Sequence, residues 1–361
     1  MLTLIIAAVL ATSGGWPHAG AGAEQRASTR SSVAPLTIPG TQPQFAQDGE
    51  RVFLAVVQGA RVAVLRSADA GRSFREATPI VPAGRMAAGM RRGPRIAVTA
   101  SSVLVSLVAG PQGGGKDGDI VIYRSGDQGA TWSPAVVVND VPAAAREGLH
   151  GMAASPDGLV VVTWLDLRKP GTRVYAAVSR DHGLTWQPDV LAAESADGAV
   201  CECCHPSVAL DGQAIAIMFR NHLRGARDMH VVRSTDGRAF TAPVKLGTGT
   251  WPLEACPMDG GAVALTGKGV TSTWRREDRI YLSRPLEPER LVGIGRDPVL
   301  ALAPGGVDLA WTTRDGIMLQ RETTTRLVGA GTFPSIAAFD GHTLVAAERA
   351  GRVVVQVVPR Q

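Results

Sequence analysis

Ser125-Gly-Asp127-Gln-Gly129-Ala-Thr131-Trp132 is one copy of a phrase that recurs along this chain. It is preceded by Ser67-Ala-Asp69-Ala-Gly71-Arg-Ser73-Phe74 and followed by Ser179-Arg-Asp181-His-Gly183-Leu-Thr185-Trp186 and a shortened Ser234-Thr-Asp236-Gly237-Arg-Ala-Phe240. Successive copies begin 58, 54 and 55 positions apart. A period of roughly 40 to 60 residues signals an array or propeller, in which each unit buries its apolar faces against its neighbours. The phrase is itself turn chemistry: the Asp carboxylate accepts backbone N–H groups, the Gly takes a conformation other residues resist, and the closing aromatic folds back as a plug.

Between these turns, short β-rich runs such as Val52–Val57, Val103–Val108 and Leu159–Trp164 alternate with Gly, Asp and Pro. This pattern predicts antiparallel strands and no helices. Pro43, Pro94, Pro206, Pro257, Pro298 and Pro334 each open a short apolar run, with His150 at the equivalent place in the third unit. Counting these starts predicts an all-β propeller of seven four-stranded blades, with six as the alternative. The last unit has room for only three strands before Gln361, so the run Ala34 to Ile38 is expected to pair there and close the ring, leaving no exposed edge.

The phrase resembles the Asp-box, or BNR, repeat of the sialidase-like β-propellers, and the likeness covers roughly residues 43 to 360. It implies Asp boxes between the third and fourth strands of a blade, on the side away from the ligand-binding mouth. It also implies six blades, the number found in sialidases. Sialidases hold the substrate carboxylate with three arginines, the first in a Phe/Tyr-Arg-Ile-Pro motif, and use a Tyr nucleophile partnered by Glu. Here the nearest motif, Gly93-Pro94-Arg95-Ile96, has the wrong order, and Tyr123, Tyr175 and Tyr281 fall inside blades. The scaffold therefore carries little functional weight.

The rest of the chain constrains function less. Residues 1–23, with an apolar stretch from Leu2 to Leu10 and small residues ending Ala21-Gly22-Ala23, read as a signal peptide, leaving 24–361 as a single exported domain, periplasmic or secreted. No other segment is long and apolar enough to span a membrane. The net charge is +5, but only four of the 37 basic residues are Lys and none form a run interleaved with aromatics, so no nucleic-acid partner is expected.

All four cysteines fall on two inter-blade loops at the mouth: Cys201-Glu202-Cys203-Cys204-His205-Pro206, and Ala255-Cys256-Pro257-Met258-Asp259. An exported protein allows disulfides between them. Thiolates with imidazole and thioether donors equally suit copper(I) or zinc, with Cys201, Cys203, Cys204, Cys256, His205, His150 and Met258 as the ligand candidates. Met86, Met90, Met152, His222, Met229 and His230 lie on or near the same face. Vicinal Cys203 and Cys204 also suit thiol–disulfide exchange. The Cys-x-Cys-Cys segment with a later Cys-Pro resembles a group of exported bacterial propellers, a likeness that implies no activity.

The expected protein is an exported Asp-box propeller that binds a small ligand or handles copper or zinc at its mouth, with a protein partner also open. The alternatives are an extracellular, exo-sialidase-like glycoside hydrolase using Asp166, Glu202, Glu254 or Asp278, and an interaction scaffold with structural disulfides. Asp166, Arg168, Arg220, Asn221, Arg224 and Asp228 could bind an anion or tie loops together.

Overall fold

In the computed structural model, which describes residues 34–360, every regular element is a β-strand. The expected signal peptide, residues 1–23, lies outside the described residues. The strands form seven antiparallel sheets. Their innermost strands are Thr41–Asp48, Arg95–Val98, His150–Ala154, Ser207–Asp211, Ala262–Thr266, Arg296–Ala303 and Thr332–Ala338. Each touches the next, and the last touches the first, so the sheets are the blades of a closed ring. Seven blades form, against the six that the resemblance implies.

The ring closes as the strand count requires. Blade 7 takes Thr332–Ala338, His342–Arg349 and Arg352–Pro359 from the end of the chain and Leu36–Pro39 from its beginning. Leu36 pairs with Val355 and Ile38 with Val353. Gly40 N–H donates to Gly351 O at 2.9 Å, and Gln58 Nε2 donates to Pro39 O at 2.9 Å, fixing the closing strand at its exit.

Sequence alternation explains why the sheets stack. In blade 3, Val161, Leu165, Val174 and Val178 pack against Ile215, Ile217 and Phe219 of blade 4. The intervening Val160, Val162 and Trp164 pack against Leu104, Ile120 and Ile122 of blade 2. Both faces of a central strand are thus buried, and its sequence reads as an unbroken apolar run. The core is divided into layers between neighbouring blades.

The Asp boxes sit at the ends of the third strands. Ser125 Oγ accepts the Gly129 N–H at 2.7 Å, and Asp127 accepts Ser125 Oγ–H, Thr131 N–H and Thr131 Oγ1–H at 2.7, 2.9 and 2.6 Å. Gly71, Gly129 and Gly183 adopt φ of 78°, 86° and 81°, and a Cβ at Gly183 would collide with Leu104 Cδ2. Trp132 Nε1 donates to Thr78 O at 2.7 Å, so the plug ties its blade to the previous one. In the short copy, Asp236 accepts the N–H groups of Arg238 and Ala239 instead.

These turns predict acid sensitivity. The Thr131 hydroxyl and N–H, with the Ser125 hydroxyl, hold the Asp127 carboxyl at about 2; at Asp69, burial opposes the shift, but bonds from Ser73 and Ser67 prevail and it too sits at about 2. A carboxylate depressed in the folded state adds stability above its unfolded value near 3.9, and that stability is lost as pH falls toward the folded value. The melting temperature should therefore drop between about pH 4 and pH 2. Asp127→Asn should flatten that drop; an unchanged profile would mean the box contributes nothing through its charge.

One strand start differs from its expected place. Pro43, Pro94, Pro206, Pro298 and Pro334 lie at or beside the starts of their inner strands, each with an Ala three residues on (Ala46, Ala97, Ala209, Ala301, Ala337). In blade 5 the strand begins at Ala262 and the matching alanine is Ala264, so Gly261 takes the proline's position. Pro257 belongs instead to an extension of the loop that carries Cys256, Met258 and Asp259.

Candidate metal centre at the propeller mouth

The loop entering blade 4 folds so that three of its side chains converge. Cys201 N–H donates to Arg220 O at 3.0 Å and Val200 N–H to Thr172 O at 2.9 Å, anchoring the segment just before the cysteines. The Sγ atoms of Cys201 and Cys203 are 3.6 Å apart, those of Cys201 and Cys204 3.6 Å, and those of Cys203 and Cys204 4.0 Å. All three are buried. A disulfide needs about 2.05 Å between sulfurs, and all four cysteines are free thiols. The disulfides considered from sequence do not form. Three thiolates around one ion at about 2.3 Å, at tetrahedral to trigonal angles, would stand about 3.8 to 4.0 Å apart, close to the spacing found.

Two cations flank the trio. Arg227 Nη1 donates to Cys201 Sγ at 3.1 Å and lies 3.5 Å from Glu202 Oε2. Arg220 is 1 % exposed and forms no salt bridge among the described residues. Its guanidinium donates to the carbonyls of Asp259, Arg227 and Arg275 and lies 5.2 Å from the centre of the Trp251 ring. Hydrogen bonds from Cys203 and Cys204, and then the charge of Arg227, push the Cys201 thiol far down. Its neighbours move the other way: bonding to Cys201 pushes Cys203 up, and burial pushes Cys204 up to about 12.

The other candidates divide. Met258 packs on the cysteines, and Asp259 N–H donates to Cys204 Sγ at 3.4 Å, so the extended loop of blade 5 covers the trio. Cys256 is exposed, with Sγ 3.8 Å from Glu202 Oε1, and stands outside the group. His205 faces the propeller axis, packed against Gly260. His150 is fully buried, with Nε2 3.0 Å from Ser106 Oγ, and burial and then Arg95 push it down to about 3. Neither His joins the three thiols within metal-ligating reach. Met86, Met152, Met229 and His230 pack within or beside the layers between blades, and Met90 is exposed.

The loop carboxylates are mostly occupied. Asp166 is buried and accepts Trp164 Nε1–H at 2.8 Å and Arg168 Nε–H at 2.9 Å, while Arg168 also grips Asp189. Asp228 accepts Trp251 N–H and pairs with Lys245, both at 2.8 Å. These bonds tie loops together. Glu254 and Asp278 are exposed. Sequence reading missed Arg227 and a set of acids at the axis: Asp259 and Asp297, both buried, and Glu348. Asp297 N–H donates to Asp259 Oδ2 at 2.9 Å, and Arg91 Nε is 3.7 Å from Asp297 Oδ1. Burial, with Asp259 nearby, pushes Asp297 up; burial does the same to Glu348. The signal for Asp297 was available, since it precedes an inner-strand proline as His205 does.

No family profile and no curated protein matches the chain. Solved structures do. An α-L-arabinanase of Penicillium chrysogenum complexed with arabinobiose aligns at a TM-score of 0.53 and 13 % identity over 91 % of this chain and 98 % of that one. The GH93 α-L-arabinofuranosidase of Fusarium graminearum with arabinobiose gives 0.51 and 12 % over 91 % and 93 %. A Trypanosoma rangeli sialidase mutant displaying trans-sialidase activity gives 0.49 and 15 % over 89 % and 54 %. The first two likenesses extend along almost the whole of each chain and concern the fold alone.

Proposed function

We propose that the protein binds a soft metal ion, copper(I) in preference to zinc, through Cys201, Cys203 and Cys204. The observation that carries this reading is the convergence of three buried thiols at 3.6 to 4.0 Å on one short loop. Charge favours the monovalent ion. Three thiolates around copper(I) carry a net charge of −2, and Arg220 and Arg227 supply two positive charges against them. Soft sulfur donors select copper(I), and the Met258 thioether packed on the trio adds to that preference. Zinc prefers a fourth ligand, and neither His150 nor His205 is in position to serve. Because ligands must lose protons, uptake releases them and should weaken as pH falls. The test is an anaerobic titration of the reduced mature protein with copper(I) and, separately, zinc. One equivalent of copper(I) bound with loss of three titratable thiols is expected; three thiols still reactive at saturation would reject the assignment.

A second reading is extracellular glycoside hydrolysis, the activity named for the similar propellers. In this chain it is favoured by Asp297 and Asp259, a buried pair whose shared site pushes Asp297 toward the protonated form that a general acid needs. Release of nitrophenol from nitrophenyl α-L-arabinofuranoside, lost in Asp297→Asn, would establish it. Absence of turnover on arabinosides, xylosides and sialosides would remove it.

A further inference from the structure

The seven inner strands surround an axial channel. Its upper part, about 190 Å³, is lined by residues of every blade, among them Gln44, Arg95, Met152, Ser207, Leu300 and Ser335. Below it lies a cavity of about 370 Å³ on the Asp-box side, and the two share Phe45, Val263, Leu300 and Ile336. The side chains lining the lower part are apolar except Gln47, and the recurrent alanines Ala46, Ala209, Ala264, Ala301 and Ala337 are among them. Among the described residues, no carboxylate lines either part.

Arg95 stands at the polar end, and among the described residues it forms no salt bridge. It is 8 % exposed, and its bonds go to three carbonyls: Nη1 to Gly93 O and Pro94 O at 3.0 and 3.1 Å, and Nη2 to Arg91 O at 2.6 Å. A guanidinium has five N–H donors, so two remain. The acids of the mouth are engaged elsewhere: Asp297 with Arg91 and Arg296, Asp259 with Arg275, and Glu348 with Gln42 N–H. Burial and the neighbouring Arg91 cation push Arg95 down to about 9. A buried charge without a partner is costly enough that a counter-ion is expected at such a place.

We propose that this channel binds a short aliphatic carboxylate, with its carboxylate on Arg95 and its hydrocarbon tail among the inner-strand alanines. Charge at one end and apolar walls at the other select an amphiphile over an inorganic anion. Two residues separate Arg95 from the alanine level at Ala97, about 7 Å at 3.3 Å per residue, which suits a chain of about six carbons.

Calorimetric titration of the metal-free mature protein with hexanoate, hexanamide and inorganic phosphate tests this. Hexanoate should bind at one site, and hexanamide and phosphate at least about tenfold more weakly, because each lacks one of the two recognised parts. Arg95→Gln should abolish hexanoate binding. Since that variant alters a buried site, Ala301→Leu provides the second arm: it fills the lower channel without touching the cation and should weaken hexanoate at least about tenfold. Equal binding of phosphate would reduce the site to a plain anion hole, and equal binding of hexanamide to an apolar crevice; either overturns the proposal. So does hexanoate binding that Ala301→Leu leaves unchanged, or no hexanoate binding at millimolar concentration.

Discussion

Replacing Cys203 and Cys204 together by Ser should abolish uptake of copper(I) while the propeller stays folded. Structural thiolate sites bind their ion with about 10 to 16 kcal/mol, so each ligand of such a set contributes roughly 3 to 4 kcal/mol. Losing two should weaken binding by about four orders of magnitude or more, at 1.4 kcal/mol per factor of ten. The cost to the fold is smaller. Both side chains are buried, and each new hydroxyl in a sulfur-lined space costs about 1 to 3 kcal/mol. For a domain of this size that lowers the melting temperature by a few degrees at most per substitution. Cys256→Ser is the internal control: that thiol is exposed and outside the trio, so uptake should change by less than about tenfold. Retention of copper(I) by the double variant would exclude these thiols as ligands, whatever happened at Cys256.

Removing the chain through Pro39 should open the ring. The closing strand inserts the partly buried Leu36 and Ile38 between blades 7 and 1 and pairs along Val353–Val355. Two partly buried aliphatic side chains contribute about 1 to 2 kcal/mol each, and the backbone pairing about 0.5 to 1.5 kcal/mol per bond. A total near 5 kcal/mol corresponds to a fall in melting temperature of roughly 5 to 10 °C in a domain of this size. The exposed third strand, Arg352–Pro359, would then be a long unpaired edge, and the truncated protein should self-associate. An unchanged melting temperature, with a monomer in sedimentation, would show that the last blade is stable with three strands.

The blades were legible in sequence because each carries its own punctuation. The Ser-x-Asp turn fixes where the third strand ends in blades 1 to 4, and an inner-strand proline marks the start of five of the seven blades. Neither marker depends on distant contacts, so counting them yields seven blades and even the closing strand. Blade 5 shows the limit: Pro257 carries the proline signal, but the loop extension displaces the strand to Ala262. The cysteine trio was visible as a composition anomaly. Its exact membership was not, because the loops of blades 4 and 5 meet through Met258 and Asp259, leaving Cys256 outside. His205 adjoins Cys204 in the chain but points to the axis, a turn in side-chain direction that adjacency cannot reveal. The axial acids escaped because Asp259, Asp297 and Glu348 come from three blades and acquire their perturbation only when the ring brings them together.

The contact from Asp259 N–H to Cys204 Sγ crosses from one blade to its neighbour. Any outward hinge of blade 5 from blade 4 must break it, and an ion bound among the sulfurs would alter it. Its amide proton can therefore serve as a spectroscopic sentinel. The rate at which that single hydrogen exchanges with solvent deuterium reports how often the seam between these two blades parts, and how far an occupied thiol site suppresses the opening.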